Sequence, residues 1–386
     1  MPSEDPLRAQ MLPGVAALPK ADWSACFPDE AEGWDYYVAC ERCAGPGLAL
    51  AAVAVFDTTG LVAAAPVFRM TYRLDTPLQG KFEGMGRAFA RIAPALMEWR
   101  MLGIGSPFAE RCHLALRPGL TGAETSRALD DLLACIQQEA RRIDAPLVAV
   151  KDLADPEAGP MGAALARRGF HAIPSLPVAA LALESGDPEA YLTGLSAATR
   201  KDLRRKMKRR DDLCIEHHHQ IGELAPEIDR LYEATRDNSL VHYGDFEELP
   251  AGYFKAISEA LGDRALFVLY RIGGQLAAFN LLLLEPGRVI DKFLGMDYAL
   301  ARQHNLYAVS WMENVRIAAE TGSTLLQTGQ TAYASKLRFG SHLVPSTNHA
   351  WHRHPLVNRA IGMAAPWLSF DRWDPDLRAL AHRRAG

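Results

Sequence analysis

The chain has 386 residues and a formal net charge of −4, with 49% hydrophobic and 23% charged residues. This is globular composition with enough material for a large core, and the length predicts two domains or one large one. The acidic balance is atypical of a protein that coats nucleic acid, and no apolar run approaches the roughly 20 residues that a membrane-spanning helix needs. The first thirty residues also lack a signal-peptide pattern, so we expect a cytoplasmic protein without a membrane span.

Six cysteines are thinly spread, and the single Cys-x-x-Cys pair, Cys40 and Cys43, has no second pair to complete a zinc site. The histidine-rich stretches 216–220 and 349–354 lack the helical His-Glu-x-x-His spacing of a metalloprotease. We therefore expect reduced thiols and no metal site.

The first half begins with a predicted hairpin, because two alternating apolar runs flank the turn Asp57–Gly60. The elements expected after it are a strand near Cys112–Leu116, a helix over 121–143, a strand over 146–153, a short helix over 161–168 and a strand-like run over 171–183. The order is therefore β hairpin, β, α, β, α, β.

The second half repeats this order. Three strands are predicted over 265–271, 275–285 and 288–297, the first two joined by a tight turn at Gly273 and Gly274. Asn305 is expected to cap a helix that ends before Gly322, and a strand over 324–329, a short helix over 332–340 and a strand over 343–351 follow. We place the joint in the polar stretch 184–190, which gives units 1–183 and 184–386.

One stretch carries an unusual concentration of charge. Residues 195–210 contain eight Lys and Arg side chains but a single acidic one. As a helix, the stretch places Leu203 and Met207 on a narrow apolar stripe and lines another face with basic groups. These basic groups are Lys201, Arg204, Arg205 and Lys208.

Three stretches together resemble the FemAB-like branch of the GNAT acyltransferases. The basic stretch 195–209 and the segment 231–257 resemble the start of the second unit in that branch. Residues 325–355 are similar to its closing Gly-x-x-x-x-x-Lys and Ser/Thr-x-His stretch, with Gly329, Lys336, Thr347 and His349 at the matching places. The resemblance covers the second half by motif and the first half by element order, and it implies an α/β (α+β) fold of tandem GNAT-like units. Each unit would be a mixed, mainly antiparallel sheet flanked by helices.

The resemblance implies an N-acyltransferase that moves an acyl group to an amine of a small molecule or a peptidoglycan-type precursor. In that arrangement the predicted strand 288–297 corresponds to the fourth strand of a GNAT unit. Asp291 on this strand is a candidate proton acceptor, and Tyr333 is a candidate proton donor. Gln330, Lys336 and His349 are candidate substrate-binding residues. Three of these have a structural alternative: Asp291 can pair with Lys292 or Arg288, Tyr333 can be packing, and Lys336 can be a solvated lysine.

The donor is expected to carry phosphate. The Gln/Arg-x-x-Gly-x-Gly/Ala loop by which GNAT enzymes hold coenzyme A is replaced by DYALARQHNLY at 297–307. We therefore assign the donor phosphate to Lys201, Arg204, Arg205 and Lys208, together with Asn305, and expect acyl-CoA as the co-substrate. The alternatives are a solvated amphipathic helix, or aminoacyl-tRNA as the donor with tRNA as a partner.

Two further hypotheses come from other classes. The chain can be a non-catalytic recognition module on the same fold. Nucleophilic catalysis by Cys214 or Cys112 with a histidine is a weaker alternative, because nothing in the spacing of either cysteine indicates activation.

Overall fold

The computed structural model describes residues 6–45, 47–73, 98–154, 159–183, 186–238, 248–369, 372 and 374–385. The described strands form two sheets, and helices flank them. This arrangement confirms the predicted fold class, a mixed α/β fold with two mainly antiparallel sheets.

The first sheet has eight strands. They are β1 (Arg8–Leu12), β2 (Ala49–Asp57), β3 (Gly60–Arg73), β4 (Glu98–Ile104), β5 (Ala115–Leu116), β6 (Leu147–Ala154), β7 (His171–Pro174) and β15 (Ser346–His352). Their order is β1-β2-β3-β4-β6-β15-β7, with β5 paired to β3. Strands β4 and β6 run parallel, and the other neighbours are antiparallel.

The second sheet has seven strands. They are β8 (Val178–Ala182), β9 (Cys214–His218), β10 (Ala265–Ile272), β11 (Gln275–Glu285), β12 (Arg288–Met296), β13 (Leu325–Gly329) and β14 (His342–Val344). Their order is β9-β10-β11-β12-β13-β8-β14, which corresponds place by place to the main path of the first sheet. In both sheets the parallel pair occupies the fourth and fifth places, so the predicted duplication of element order is confirmed.

Helices connect and cover the strands. Those before the basic stretch are α1 (Lys20–Cys26), α2 (Trp34–Cys43), α3 (Gly122–Arg142), α4 (Pro160–Arg167) and α5 (Pro188–Gly194). The others are α6 (Ala197–Met207), α7 (Ala225–Asp237), α8 (Tyr253–Leu261), α9 (Tyr298–His304), α10 (Leu306–Glu320), α11 (Tyr333–Arg338), α12 (Pro355–Ala364) and α13 (Pro375–Ala385). Helices α3 and α10 each connect the parallel strands of one sheet.

Local sequence signals predicted most of these elements. The hairpins at residues 57–60 and 273–274 are present, and α3 begins after Thr121, whose side chain accepts a hydrogen bond from the Glu124 N–H in a capping box. The basic stretch forms α6, with Leu203 buried as predicted and Met207 partly buried. These elements depend on neighbours in sequence, which is why periodicity and turn residues identify them.

Three local predictions were wrong. The strand before α3 in the sheet path is β4, whereas Cys112–Leu116 contributes only the two-residue β5. The run 171–183 is two strands rather than one, because Pro174 and Pro177 lack the N–H groups that a continuous ladder needs. Asn305 precedes α10 but makes no capping side-chain bond, since its left-handed backbone (φ 53°) ends α9 and turns the chain.

The two sheets exchange a strand reciprocally. Strand β15, near the end of the chain, lies between β6 and β7 of the first sheet, and β8 lies between β13 and β14 of the second. Each sheet therefore contains residues from both sides of position 183. The division into units 1–183 and 184–386 stays a prediction, and residues 184–185 of the expected joint lie outside the described residues.

Charged side chains also join the two sheets. Glu32, which precedes α2, pairs with Lys292 of β12 at 2.6 Å, and both side chains are at most 4% exposed. Glu30 binds Arg288 of β12 at 2.8 Å and Arg111 at 2.6 Å. A buried charge without its partner is strongly unfavourable, so these contacts fix the N-terminal segment against the second sheet.

The strand exchange predicts that residues 1–183 do not fold alone. The fragment would lack β15, leaving facing edges of β6 and β7 unpaired, and would carry β8 without its sheet. We expect no cooperative urea transition by circular dichroism for this fragment, and recovery of a cooperative transition when the fragment is co-expressed with residues 184–386. A cooperative transition of the isolated fragment would show instead that position 183 separates autonomous domains.

Candidate active site between the two sheets

A cavity of about 930 Å³ lies between the two sheets. Strands of both sheets line it, and α12 contributes a further wall. Its lining combines a large apolar surface with a group of polar side chains. The charged, amide and imidazole side chains of that lining are Glu110, Lys151, Asp152, Asp291, Lys292, Gln330, Lys336, Asn348, His349, Asp374 and Asp376.

The second sheet opens at Asp291. Strands β12 and β13 pair in parallel only where Arg288–Ile290 lie beside Leu325–Gln327. Asp291 is the next residue of β12. The ladder between β11 and β12 is also irregular at this point, because Lys292 is skipped between the pairs Leu282–Asp291 and Leu281–Phe293. A bulge of this kind redirects side chains, and here it lies at the cavity wall.

Asp291 is held by two buried amides. Its Oδ1 accepts a hydrogen bond from Asn280 Nδ2 and its Oδ2 accepts one from Asn314 Nδ2, both at 2.9 Å. Burial raises the pKa of Asp291 to about 6, although these two bonds and the positive charge of Lys336 act in the opposite direction. The group therefore titrates near neutral pH, which is the range a general base needs.

Lys336 comes from α11, which follows the loop after β13. The side chain is buried, and its Nζ donates to Gly329 O at 3.2 Å and Gln330 O at 3.3 Å. Burial lowers the pKa of Lys336, while the negative charges of Glu110 and Asp291 oppose that shift. The alternative of a solvated lysine is thus excluded by its position.

The loop that carries Gln330 has unusual backbone geometry. Thr331 and Ala332 adopt positive φ angles of 77° and 49°, as does Gly329 at 79°. A side chain at Gly329 would come within 2.5 Å of Glu110 Oε1, and the same Oε1 accepts the Gln330 N–H at 3.2 Å. Positive φ is uncommon outside glycine and tends to cluster at functional sites.

A polar network beside Gln330 was not predicted. Ser175 Oγ donates to Asp152 Oδ1 at 2.6 Å, and the Asp152 N–H donates to Asn348 Oδ1 at 2.8 Å. Gln330 Nε2 donates to Leu176 O at 2.8 Å and lies 3.5 Å from Asp152 Oδ1. The sequence signal was the adjacent Lys151 and Asp152 inside an otherwise apolar strand, since buried charged groups require partners.

His349 lines the cavity from β15. It is 5% exposed, its Nδ1 has no hydrogen-bond partner among the described residues, and burial lowers its pKa to about 4. The imidazole is therefore neutral at neutral pH and can donate or accept a hydrogen bond.

Tyr333 is placed differently from Gln330 and Lys336. It is completely buried beside Leu176, its hydroxyl donates to Pro177 O at 2.8 Å, and it does not line the cavity. Tyr307 of α10 does line the cavity, and its buried hydroxyl has no partner among the described residues. Sequence reasoning missed Tyr307, although it closes the stretch 297–307 that replaces the coenzyme A loop.

The basic helix forms a separate surface site. Lys201, Arg204, Arg205 and Lys208 line a depression of about 420 Å³ that shares no lining residue with the cavity. Arg204 pairs with Glu189 and Arg205 with Asp202, but all four basic side chains are exposed. Such surface pairs contribute roughly 0–1 kcal/mol, so an anionic ligand can replace them.

The remaining predicted positions lie apart from the cavity. Asn305 lines neither the cavity nor the depression. Cys214 is exposed at the edge of the second sheet, and burial raises the pKa of Cys112 to about 12, which disfavours its thiolate. Over the described part of the chain, no cluster of three His, Cys, Asp or Glu side chains is placed to hold a metal ion. None of the helices within the same ranges is long and apolar enough to cross a membrane.

Comparison with known proteins gives matches at the level of family and fold. Residues 197–336 match the family model described as an acetyltransferase (GNAT) domain. The fold is similar to the crystal structure of FemX, with a TM-score of 0.53 and 11% identity over 90% of this chain and 96% of that chain. It is equally similar to a tandem GNAT protein from the clavulanic acid biosynthesis pathway, with a TM-score of 0.53 and 16% identity over 91% and 99% of the two chains. No curated protein matches the sequence.

Proposed function

We propose that this chain, a tandem GNAT protein with a FemAB-like fold, is an N-acyltransferase whose reaction takes place at Asp291. The GNAT fold supports acyl transfer in general. The observation that carries the proposal is the position of Asp291, a carboxyl group with a raised pKa at the point where β12 and β13 separate. The predicted donor is acyl-CoA, and the predicted acceptor is an amine of a small molecule or a peptidoglycan-type precursor.

The proposed reaction is direct transfer. The neutral amine attacks the thioester carbonyl carbon, a C–N bond forms, and the C–S bond breaks to release the thiolate. Asp291 accepts the proton that the amine nitrogen loses, directly or through water. Its two oxygens each accept one hydrogen bond from an asparagine amide, which leaves lone pairs for this proton. Backbone N–H groups of β12 beyond Ile290 have no partner strand on the β13 side and can stabilise the oxyanion.

Four other residues have proposed supporting roles. Lys336 stabilises the ionised form of Asp291 and presents positive charge to a carboxylate or phosphate of the substrate. Gln330 and His349 position the acceptor from the two sides of the cavity. Tyr333 as the proton donor to the leaving group stays a prediction, because its hydroxyl must first give up Pro177 O. A thiolate also needs little help to leave, since its conjugate acid has a pKa of about 8.5.

The donor phosphate is proposed to bind the depression on α6. Lys201 and Lys208 form no ion pair with any described residue, and the two arginines between them are exposed. Helix α11 connects this surface to the cavity, because Arg338 pairs with Asp202 of α6 while Lys336, two residues earlier, lies at the cavity wall. Aminoacyl-tRNA is the alternative donor, favoured by the likeness to FemX and by the charge density of the stretch.

Replacing Asp291 with Asn tests the proposed base. A base must be ionised, and a folded-state pKa of about 6 means that activity is lost as pH falls through that value. For the wild type we expect kcat/KM, calculated on the concentration of neutral amine, to fall about tenfold per pH unit below pH 6 and to level off above it. Asp291→Asn should lower kcat/KM roughly 10²–10⁴-fold and abolish the decrease at acidic pH, which is the acidic limb of the pH profile. Both effects are measured by free-thiol release from acetyl-CoA with a panel of amines.

Lys336→Met is the companion variant. Since the ammonium group lowers the pKa of Asp291, removing it should move the acidic limb to higher pH. A carbon-13 NMR titration of the Asp291 carboxyl checks the same shift without substrate. An Asp291→Asn variant that keeps the wild-type rate and pH profile would leave Asp291 a structural residue and place the base elsewhere.

Replacing Arg204 and Arg205 with Ala tests the donor site. Both side chains are exposed, so the free energy of unfolding should change by no more than about 0.5 kcal/mol. Loss of each charge-assisted contact to phosphate should weaken donor binding by roughly 1.5–3 kcal/mol, or about tenfold or more in Kd. Calorimetric titration with acetyl-CoA and, separately, with aminoacyl-tRNA measures the effect.

The outcomes separate the donors. A loss for acetyl-CoA alone supports the diphosphate role, and a loss for aminoacyl-tRNA alone supports the alternative donor. Unchanged affinity for both ligands would contradict a phosphate site on α6 and leave it a solvated helix.

A further inference from the structure

The first sheet gives the cavity an apolar floor. Strand β6 alternates, so that Leu147 and Ala149 line the cavity while Val148 belongs to the core beneath α3. Leu147 packs with Phe68 and Met101 in a cluster that does not contain the polar residues of the site. An apolar surface of this extent against an open cavity favours an apolar ligand.

The floor contains two alanines on neighbouring strands. Ala149 of β6 and Ala350 of β15 are directly paired across the strands, and both line the cavity. On the side of Ala149 that faces away from β15, its partner is Gly103 of β4. The ring of Phe68 lies over Gly103. Two adjacent methyl side chains beside a large ring leave a trough on the sheet.

Helix α12 covers this trough. Val357, Ile361 and Ala364, spaced three and four residues apart, line the cavity, and Ile361 packs with the cluster around Leu147. The trough therefore has an apolar floor and an apolar cover.

The cavity changes character along β6. Leu147 lies at the apolar end, and Lys151 at the polar end with Asp152 and Gln330. Leu147 and Lys151 are four positions apart in an extended strand, a distance of roughly 13 Å at about 3.3 Å per residue. His349, 5% exposed and without a partner for its Nδ1 among the described residues, also lines the cavity. A ligand that fills this space has a long apolar part and a polar head.

We propose that the cavity binds an extended alkyl or acyl chain in the trough over Ala149 and Ala350, with the polar end of the same molecule at Asp291 and Lys336. The position of the polar end rests on the proposed acyl transfer, whereas the trough is independent of it. Such a chain belongs either to the donor, as a long-chain acyl-CoA, or to the acceptor, as an amine-bearing lipid. The bonds made and broken are those of the proposed transfer in both cases.

Chain binding is measured by displacement of a fluorescent fatty acid by dodecanoate and butanoate. We expect dodecanoate to displace the probe and butanoate to do so far more weakly, because each buried CH₂ tightens binding by roughly fourfold. Ala149→Leu fills the trough and should weaken dodecanoate binding about tenfold or more. Ala123→Leu, an exposed position on α3, is the matched control and should leave binding unchanged.

A second variant controls for loss of the fold. Ala350→Leu fills the trough from the neighbouring strand, and thermal unfolding identifies any variant that loses its fold. Equal binding of dodecanoate and butanoate by the wild type, or unchanged dodecanoate binding by a folded Ala149→Leu or Ala350→Leu variant, overturns the proposal.

Two further ligands identify the source of the chain. Dodecanoyl-CoA that binds more tightly than acetyl-CoA, with the difference lost in Ala149→Leu, places the chain on the donor. Sedimentation with phosphatidylethanolamine vesicles that weakens in Ala149→Leu places it on the acceptor. The second ligand is included because Leu356, Met363 and Trp367, at and beyond the outer side of α12, are exposed by 64–73%.

The two proposals fail separately. Acetyl transfer without chain binding would overturn the trough alone. Chain binding with no transfer from any acyl-CoA or aminoacyl-tRNA would overturn the proposed function and leave the trough in place.

Discussion

The reciprocal exchange of β8 and β15 is the constraint on which the rest of the structure depends. Each sheet is completed by a strand from the other side of the chain, so neither has a full hydrogen-bond ladder without the other. The exchanged strand β15 also brings Asn348 beside Asp152 and His349 to the cavity wall. The geometry of the site is therefore a consequence of how the two sheets are closed, and a change that loosens β15 should disturb both.

The buried ion pair between Glu32 and Lys292 also holds the N-terminal segment against the second sheet. Burial alone would lower the pKa of Lys292, but the neighbouring carboxylate of Glu32 raises it, so the ammonium group stays charged. Lys292 is the residue skipped in the ladder beside Asp291. A contact that fixes the N-terminal segment thus also holds the bulge at which the second sheet opens.

Local patterns in the sequence predicted the hairpins, α3, α6 and the strand β13, because each depends on residues a few positions apart. The exchange of β8 and β15 was beyond such reasoning, since a strand's own alternation does not say which sheet it joins. Asp291 and Lys336 were identified through a resemblance, and the structure places both at the cavity. Tyr307 and Asp152 carried weaker signals, because a single tyrosine in a helix or a single charge in a strand is usually structural.

The central claim is that one molecule spans the cavity, with its chain on the first sheet and its reacting group at Asp291 on the second. Photocrosslinking with a long-chain fatty acid that carries a diazirine at the end of its chain tests this most directly. We expect labelled peptides that contain residues 147–150 and 350–361, and less labelling when dodecanoate competes. Labelling confined to the surface of α6, or labelling that dodecanoate does not reduce, would contradict it.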